Sequence, residues 1–363
     1  MPATRRNSTP VSKQFIAWLG LAHFMSGSLL AQDRALIQQA KGTRIPVSGV
    51  VQDYTGRELV LRVKNNEPPR RYPRTEVIEV TTDYTSHHNQ GRKLFAAGKI
   101  AEANREFTAA LEEEDRPWVR REILAGQVRC ALWKGDYPTA ASRFMPIVES
   151  DPETFHYNLV PLNWANDLPP ANVKFEARGW TDPKAPLVSK LIGASWLVTV
   201  DENADEAEQI LKRLARESDQ RIQRLAQMQM WRVKLRQSKQ IDPHEISRWQ
   251  QFAEQLPVEL RGGSYFVIGQ ASKQGQDFER AARAFLWLPL VYDSDRWLAA
   301  HACFEAADSL SALGDHNQAG SLYSEVVFRF GDTPWGRPAE TAWKALKPAT
   351  REAPSPVPNP PAP

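Results

Sequence analysis

A mainly α-helical fold, a helical solenoid preceded by a small β module, is predicted by three observations. From Ser86 to Leu346, small residues recur in phase with helical turns, and the same arrangement returns along the chain. Residues 44–82 instead alternate short β-rich runs with turn residues. The 27 prolines gather at a few places and so mark boundaries between elements.

The first segment, residues 1–31, has the form of a signal peptide. Arg5, Arg6 and Lys13 make a positive start, Phe15 to Ala31 is mostly apolar, and Gly27, Ser28 and Ala31 give a small-residue exit before Gln32-Asp33-Arg34. The apolar run is shorter than the roughly 20 residues of a spanning helix. Cleavage and export to the periplasm or exterior are therefore expected, with an uncleaved N-terminal anchor as the alternative. No cysteine adjoins the boundary, which argues against a lipid anchor. The segment carries three of the 46 basic residues and none of the 43 acidic ones, so the remainder holds 43 of each. A chain of balanced charge gives no global reason to bind nucleic acid. With 42% hydrophobic and 25% charged residues the composition is that of a folded protein, and a mean hydropathy of -0.50 excludes a polytopic membrane protein.

In the β module, Val47 to Tyr54, Glu58 to Val63 and Thr75 to Thr82 read as three strands. Asp53-Tyr54-Thr55-Gly56-Arg57 turns between the first two, and Asn65-Asn66-Glu67-Pro68-Pro69 separates the second from the third. Leu59, Leu61 and Val63 alternate with Val60 and Arg62, as in a strand with one buried face. The meander is similar in pattern to small SH3-like or Sm-like modules. Three strands alone are marginally stable, so packing on the following helices is expected. Arg57, Arg62, Lys64, Arg70, Arg71 and Arg74 outnumber Glu58 and Glu67 by four here. This excess is either a solvated strand face and loop or a site for an anionic partner: nucleic acid, against which export argues, an envelope polymer or lipid headgroups.

The helical region contains four copies of one pattern. The first is Gly91, Leu94, Gly98-x-Ile100, Ala103, Phe107, Ala110; the second is Leu124, Ala131, Gly135-x-Tyr137, Ala140, Phe144, Ile147. The third is Tyr265, Gly269, Phe278, Ala281, Phe285, Leu288, and the fourth Cys303, Ala307, Leu310, Gly314-x-His316, Ala319, Tyr323, Val326. Ala103 and Ala140 lie 37 residues apart and Ala281 and Ala319 lie 38 apart, with a weaker copy around Ser195, Ala207, Leu211 and Leu214 between them. A small residue where two helices cross lets their axes approach, and an aromatic one turn later fills the space beside it. The glycine ends one helix and opens the next.

This pattern resembles the tetratricopeptide repeat family, whose units are antiparallel helix pairs of about 34 residues. It departs from the family in its longer spacing, in His316 at the turn, and in the absence from the clear copies of the tryptophan common at one place in the family's first helix. The resemblance implies a right-handed superhelix over 86–154 and 187–346, a concave groove made by the first helices, and binding of protein or peptide partners. Arg92, Arg129 and Trp133 stand on first helices as candidates to face that groove. Two segments interrupt the array. Residues 155–186 hold five prolines and five aromatics, so they either pack along the helices or form a binding surface. Residues 348–363 are proline-rich with almost no apolar bulk, the composition of a disordered tail.

Motifs for catalysis are missing from the sequence. Histidines 23, 87, 88, 156, 244, 301 and 316 do not have metal-ligand spacing, and no Cys-x-x-Cys, His-Glu-x-x-His or calcium loop occurs. Gly193-Ala194-Ser195-Trp196-Leu197 lacks the second glycine of a nucleophile elbow, and Gly262-Gly263 is followed by no Lys-Ser/Thr. The acidic run Glu112 to Asp115 is expected as a solvated helix end, and Cys130 and Cys303 as buried, unpaired thiols several helix layers apart. The expectation is an exported, non-enzymatic scaffold without cofactor or metal, no membrane span after cleavage, and a protein or peptide partner. Attachment to an envelope polymer through the basic module is the alternative. An enzyme with its site on 155–186 is the remaining one.

Overall fold

The computed structural model describes residues 33–39 and 42–346; the expected signal peptide and proline-rich tail lie outside them. The fold is mainly helical, with fourteen helices among the described residues and one small antiparallel sheet at the N-terminal side.

The sheet has five strands: β1 (Asp33–Gln38), β2 (Arg44–Tyr54), β3 (Glu58–Arg62), β4 (Arg70–Pro73) and β5 (Val77–Thr81), in the order β4-β3-β2-β1-β5. The expected three-strand meander is corrected: β1 and β4 are additional, the third expected strand, β5, pairs with β1 and not with β3, and the module begins before residue 44. β1 pairs with β2 from Asp33 opposite Gly49 to Gln38 opposite Arg44, and on its other side with β5. β1 is anchored by its first residue. Asp33 is buried, accepts the Val51 amide at 2.7 Å and takes the Thr82 hydroxyl, so its carboxylate ties three strands together. One face presents Ala35, Ile37, Val51, Leu59, Leu61 and Val77 to a core shared with Ile100, Phe107, Trp118 and Ile123 of the first helices. The sheet is therefore half of a joint core, as the marginal stability of so small a sheet requires.

The helices are α1 (Ser86–Ala96), α2 (Ile100–Glu113), α3 (Pro117–Trp133), α4 (Tyr137–Ser150), α5 (Ala171–Trp180), α6 (Leu187–Leu197) and α7 (Asp201–Leu214), then α8 (Gln220–Gln237), α9 (Pro243–Glu254), α10 (Val258–Gln274), α11 (Phe278–Val291), α12 (Arg296–Ala312), α13 (His316–Phe330) and α14 (Gly336–Ala345). Chain neighbours pack on one another through α1–α4, α5–α8 and α9–α14.

Four of the connecting turns share one geometry. Lys99, Asp136, Asp277 and Asp315 each donate their amide to the carbonyl five residues back, at 2.9, 2.9, 2.9 and 3.0 Å. The residue before each is left-handed: Gly98, Gly135, Gln276 and Gly314, at φ 72°, 67°, 62° and 82°. These are the helix-ending loops in which glycine avoids the Cβ clash of positive φ. In three of them the aspartate then caps the next helix, accepting the amides of Thr139, Arg280 and Gln318. Four residues beyond each turn stand Ala103, Ala140, Ala281 and Ala319, each 0% exposed. The close helix approach extends to the glycines. A Cβ on Gly91 or Gly126 would lie 2.8 Å from the Phe107 ring, and one on Gly269 would lie 2.6 Å from Phe285.

Two expectations are corrected. Glu114, read as part of a solvated acidic run, is only 4% exposed and pairs at 2.7 Å with Arg116, which also reaches Thr82 and the Asp83 carbonyl. It holds the sheet to the helices. Cys130 and Cys303 are free and buried, but several helix layers do not separate their helices, because α3 and α12 touch. The thiols face different cores, Cys130 the one shared with the sheet and Cys303 the one beneath α13.

Candidate functional site

The proline- and aromatic-rich stretch after α4 splits into a buried part and an exposed part. Phe155–Leu159 forms a 3-10 turn, and Tyr157, Leu159, Leu162 and Trp164 then enter the largest core with residues of α4, α6, α8 and α10. An irregular backbone inside a core must find its hydrogen bonds elsewhere, and here side chains supply them. The Ser195 hydroxyl accepts the Asn163 amide at 3.1 Å, and Gln229 donates to the Asn163 carbonyl at 3.0 Å. Trp196 donates to the Pro161 carbonyl at 3.0 Å, and Arg232 to the Ala165 carbonyl. Arg232 is fully buried, and burial lowers its pKa to about 9. Ser195 is thereby occupied as a strut for 163, which leaves it no role as a nucleophile.

Trp164 lies on α10 where the helix carries Gly263; a Cβ there would overlap the indole. Gly262-Gly263 is thus a seat for a side chain inside a helix, at a cost of about 1 kcal/mol relative to alanine for each glycine. After 167 only one face of the chain stays in the core: Val173 and Ala177 of α5 are buried while Leu168 and Phe175 are exposed.

A cavity of about 470 Å³ opens between this segment, α3, and the starts of α10 and α12. One wall carries Arg129, His156 and Tyr157, the other Glu259, Tyr292 and Asp295, and Trp164 and Leu298 are among its apolar lining. Burial lowers the pKa of Arg129, and burial reinforced by Arg129 and Arg121 lowers that of His156 to about 3, so the imidazole is neutral. Asp295 accepts the amides of Trp297 and Leu298, both at 3.0 Å, and lies 3.3 Å from the Tyr137 hydroxyl; burial raises its pKa to about 6. A second cleft of about 750 Å³ adjoins the first at Leu260. There Arg221 donates to the Glu153 carbonyl at 3.0 Å and Arg224 sits 5.0 Å over the Phe252 ring.

Of the three first-helix candidates, only Arg129 reaches the cavity. Arg92 lies 5.5 Å over the Tyr84 ring, and Trp133 is sandwiched by Phe95 and by Arg296, the latter at 4.6 Å. His156, Tyr157 and Tyr292 were not singled out by the sequence for this role, because they meet Arg129 only through the fold. The basic cluster of the β module is largely answered by its own acids: Lys64 and Arg70 pair with Glu67, and Arg71 with Glu58. Arg74 packs over Tyr54 and Phe155.

Beside the cavity, α11 turns Trp287, Leu290 and Val291 outward, 44%, 70% and 52% exposed. Positions i, i+3 and i+4 share one helix face, and Val258 on the neighbouring rim is exposed as well. Trp287 is held rigid by stacking on Tyr265 at 5.3 Å, which stacks in turn on Tyr292 at 5.7 Å.

Among the described residues no group of three or more His, Cys, Asp or Glu side chains is placed to hold a metal ion, and no helix is long and apolar enough to cross a membrane. His87 pairs with Glu106 at 2.7 Å and His301 stacks on Trp335 at 4.2 Å, each in its own environment. No protein-family model matches the sequence, and a search of curated proteins returned no match.

Proposed function

We propose that this chain is an exported, non-enzymatic interaction scaffold, a tetratricopeptide-like stack of helix pairs that engages a protein partner in the cell envelope. The observation that carries the reading is the uncovered apolar face of α11, Trp287, Leu290 and Val291, on a rigid aromatic backing. Contiguous exposed apolar surface with a rigid aromatic at its centre is the character of a protein-binding patch. The four like turns and the four buried alanines support helix pairs as the repeating unit. The buried segment 155–167 fills part of the space that an open groove would offer a peptide, which favours the outer face of α11 as the docking surface.

The test uses the full chain lacking residues 1–31. Partners captured from an envelope extract are cross-linked and the links mapped by mass spectrometry. Links concentrated on α9–α12, and weakened by Trp287→Ala with Leu290→Ser while circular dichroism is unchanged, agree with the proposal. Links confined to residues 33–82 would replace it with attachment through the β module.

A further inference from the structure

Arg129 lines the cavity, and the carboxylate whose charge it feels, Glu122 on its own helix, is shared with Arg92 and Arg116. No hydrogen bond or ion pair reaches the Arg129 guanidinium among the described residues, whereas other arginines drawn into the fold are answered. Arg121 meets Asp53, Ser150 and the Tyr54 carbonyl, Arg232 meets three acceptors, and Arg116 holds Glu114. A guanidinium drawn into the fold without a direct acceptor is costly and is retained where something else supplies the anion.

Two further groups on the same wall are unsatisfied. His156 Nε2 and Tyr157 Oη are buried and have no hydrogen-bond partner, in residues 6% and 1% exposed. Trp164, Leu225, Leu260, Tyr292 and Leu298 give the lining an apolar and aromatic part, and the volume falls within the range of small-ligand sites.

We propose that this cavity binds a small monoanion with an apolar body, an aliphatic or aromatic carboxylate, whose carboxylate meets Arg129 while its body lies against Trp164, Tyr292 and Leu298. The opposite wall sets the charge of the ligand. Asp293 is paired with Arg329 at 3.2 Å and Asp295 is engaged as a helix cap, but Glu259 has no cation of its own among the described residues. One guanidinium without a direct acceptor, one carboxylate without a cation and a neutral imidazole along one cavity suit a single negative charge and disfavour a dianion such as a phosphate monoester. Val291 borders both this cavity and the α11 face, but Arg129 lines the cavity alone, so Arg129 variants test this site while Trp287 and Leu290 variants test the other.

The experiment is calorimetric titration of the full chain with octanoate and 3-phenylpropanoate, their primary amides, and octyl phosphate. The carboxylates are expected to bind, with the amides and octyl phosphate weaker by on the order of tenfold or more. Arg129→Gln should lose the preference for acid over amide, and Arg129→Lys should keep part of it. Equal binding of acid and amide, binding of neither, tighter binding of octyl phosphate, or an unchanged acid preference in Arg129→Gln each overturns the proposal.

Discussion

Gln276 occupies the left-handed position that glycine fills in the three sister turns, at φ 62°. A side chain there brings Cβ against the carbonyl oxygen, at about 1 kcal/mol. Gln276→Gly should therefore stabilise the chain by roughly 0.5–1 kcal/mol, read from the urea midpoint at unchanged slope. Titration gives a second residue-scale consequence. The Asp295 pKa, about 6, lies above its ordinary 3.8, so the folded chain binds more protons than the unfolded one between those values and loses stability as pH rises through them. His156 and His88 are pushed by burial the other way, to about 3 and about 4, and withdraw stability as pH falls below 6.5. Asp295→Asn keeps a helix cap but removes the opposing contribution. The variant should be more stable than the parent at pH 7, by on the order of 1–2 kcal/mol, with the difference vanishing near pH 4. Denaturation curves at the two pH values check this; a variant less stable than the parent at pH 7 would assign Asp295 a net favourable charge.

At the scale of elements, the legible features were those set by local chemistry. Turn glycines and the small residue beyond each turn are separated by fixed numbers of residues, so periodicity exposes them; the aspartate between them, which caps the next helix, carries the same spacing but went unread. Ala140→Leu and Ala319→Leu test that register. Each should cost roughly 1–3 kcal/mol by overpacking a helix crossing, and unchanged thermal melting of both would place the alanines outside the contact. The strands that escaped notice had no such signature. β1 begins at Asp33, in what reads as the polar exit of a leader, and its burial depends on bonds to Val51 and Thr82. β4 is Arg70-Arg71-Tyr72-Pro73, charged and proline-ended as suits a sheet edge. The path of 155–167 was illegible for a different reason. Its backbone is satisfied by Ser195, Gln229 and Arg232, up to 67 residues away, and nothing in the local sequence of either partner announces the other. The cavity shares that origin: Arg129 was visible as a first-helix arginine, but the cavity it lines is closed by α8, α10, α11 and α12, far along the chain.

In the whole molecule, the turn between α3 and α4 meets the start of α12. Gly135 lies against the Trp297 indole so closely that a Cβ would overlap it, Tyr137 approaches Asp295 across 158 residues of sequence, and Ser294 donates to the Asn158 carbonyl at 2.8 Å. Gly135→Ala strains the left-handed turn and pushes on Trp297 at once. It should destabilise by more than the roughly 1 kcal/mol of a left-handed alanine alone, and calorimetry should then resolve two transitions where the parent has one. A row of helix pairs that touched only their neighbours would fray from its ends, each pair melting nearly on its own account. Here an early turn is fastened to a late helix, so opening the molecule at α12 also strips cover from α3 and α4. The fastening makes unfolding a collective event and slows the last step of folding, since a contact of such long sequence separation closes only after the intervening chain is in place.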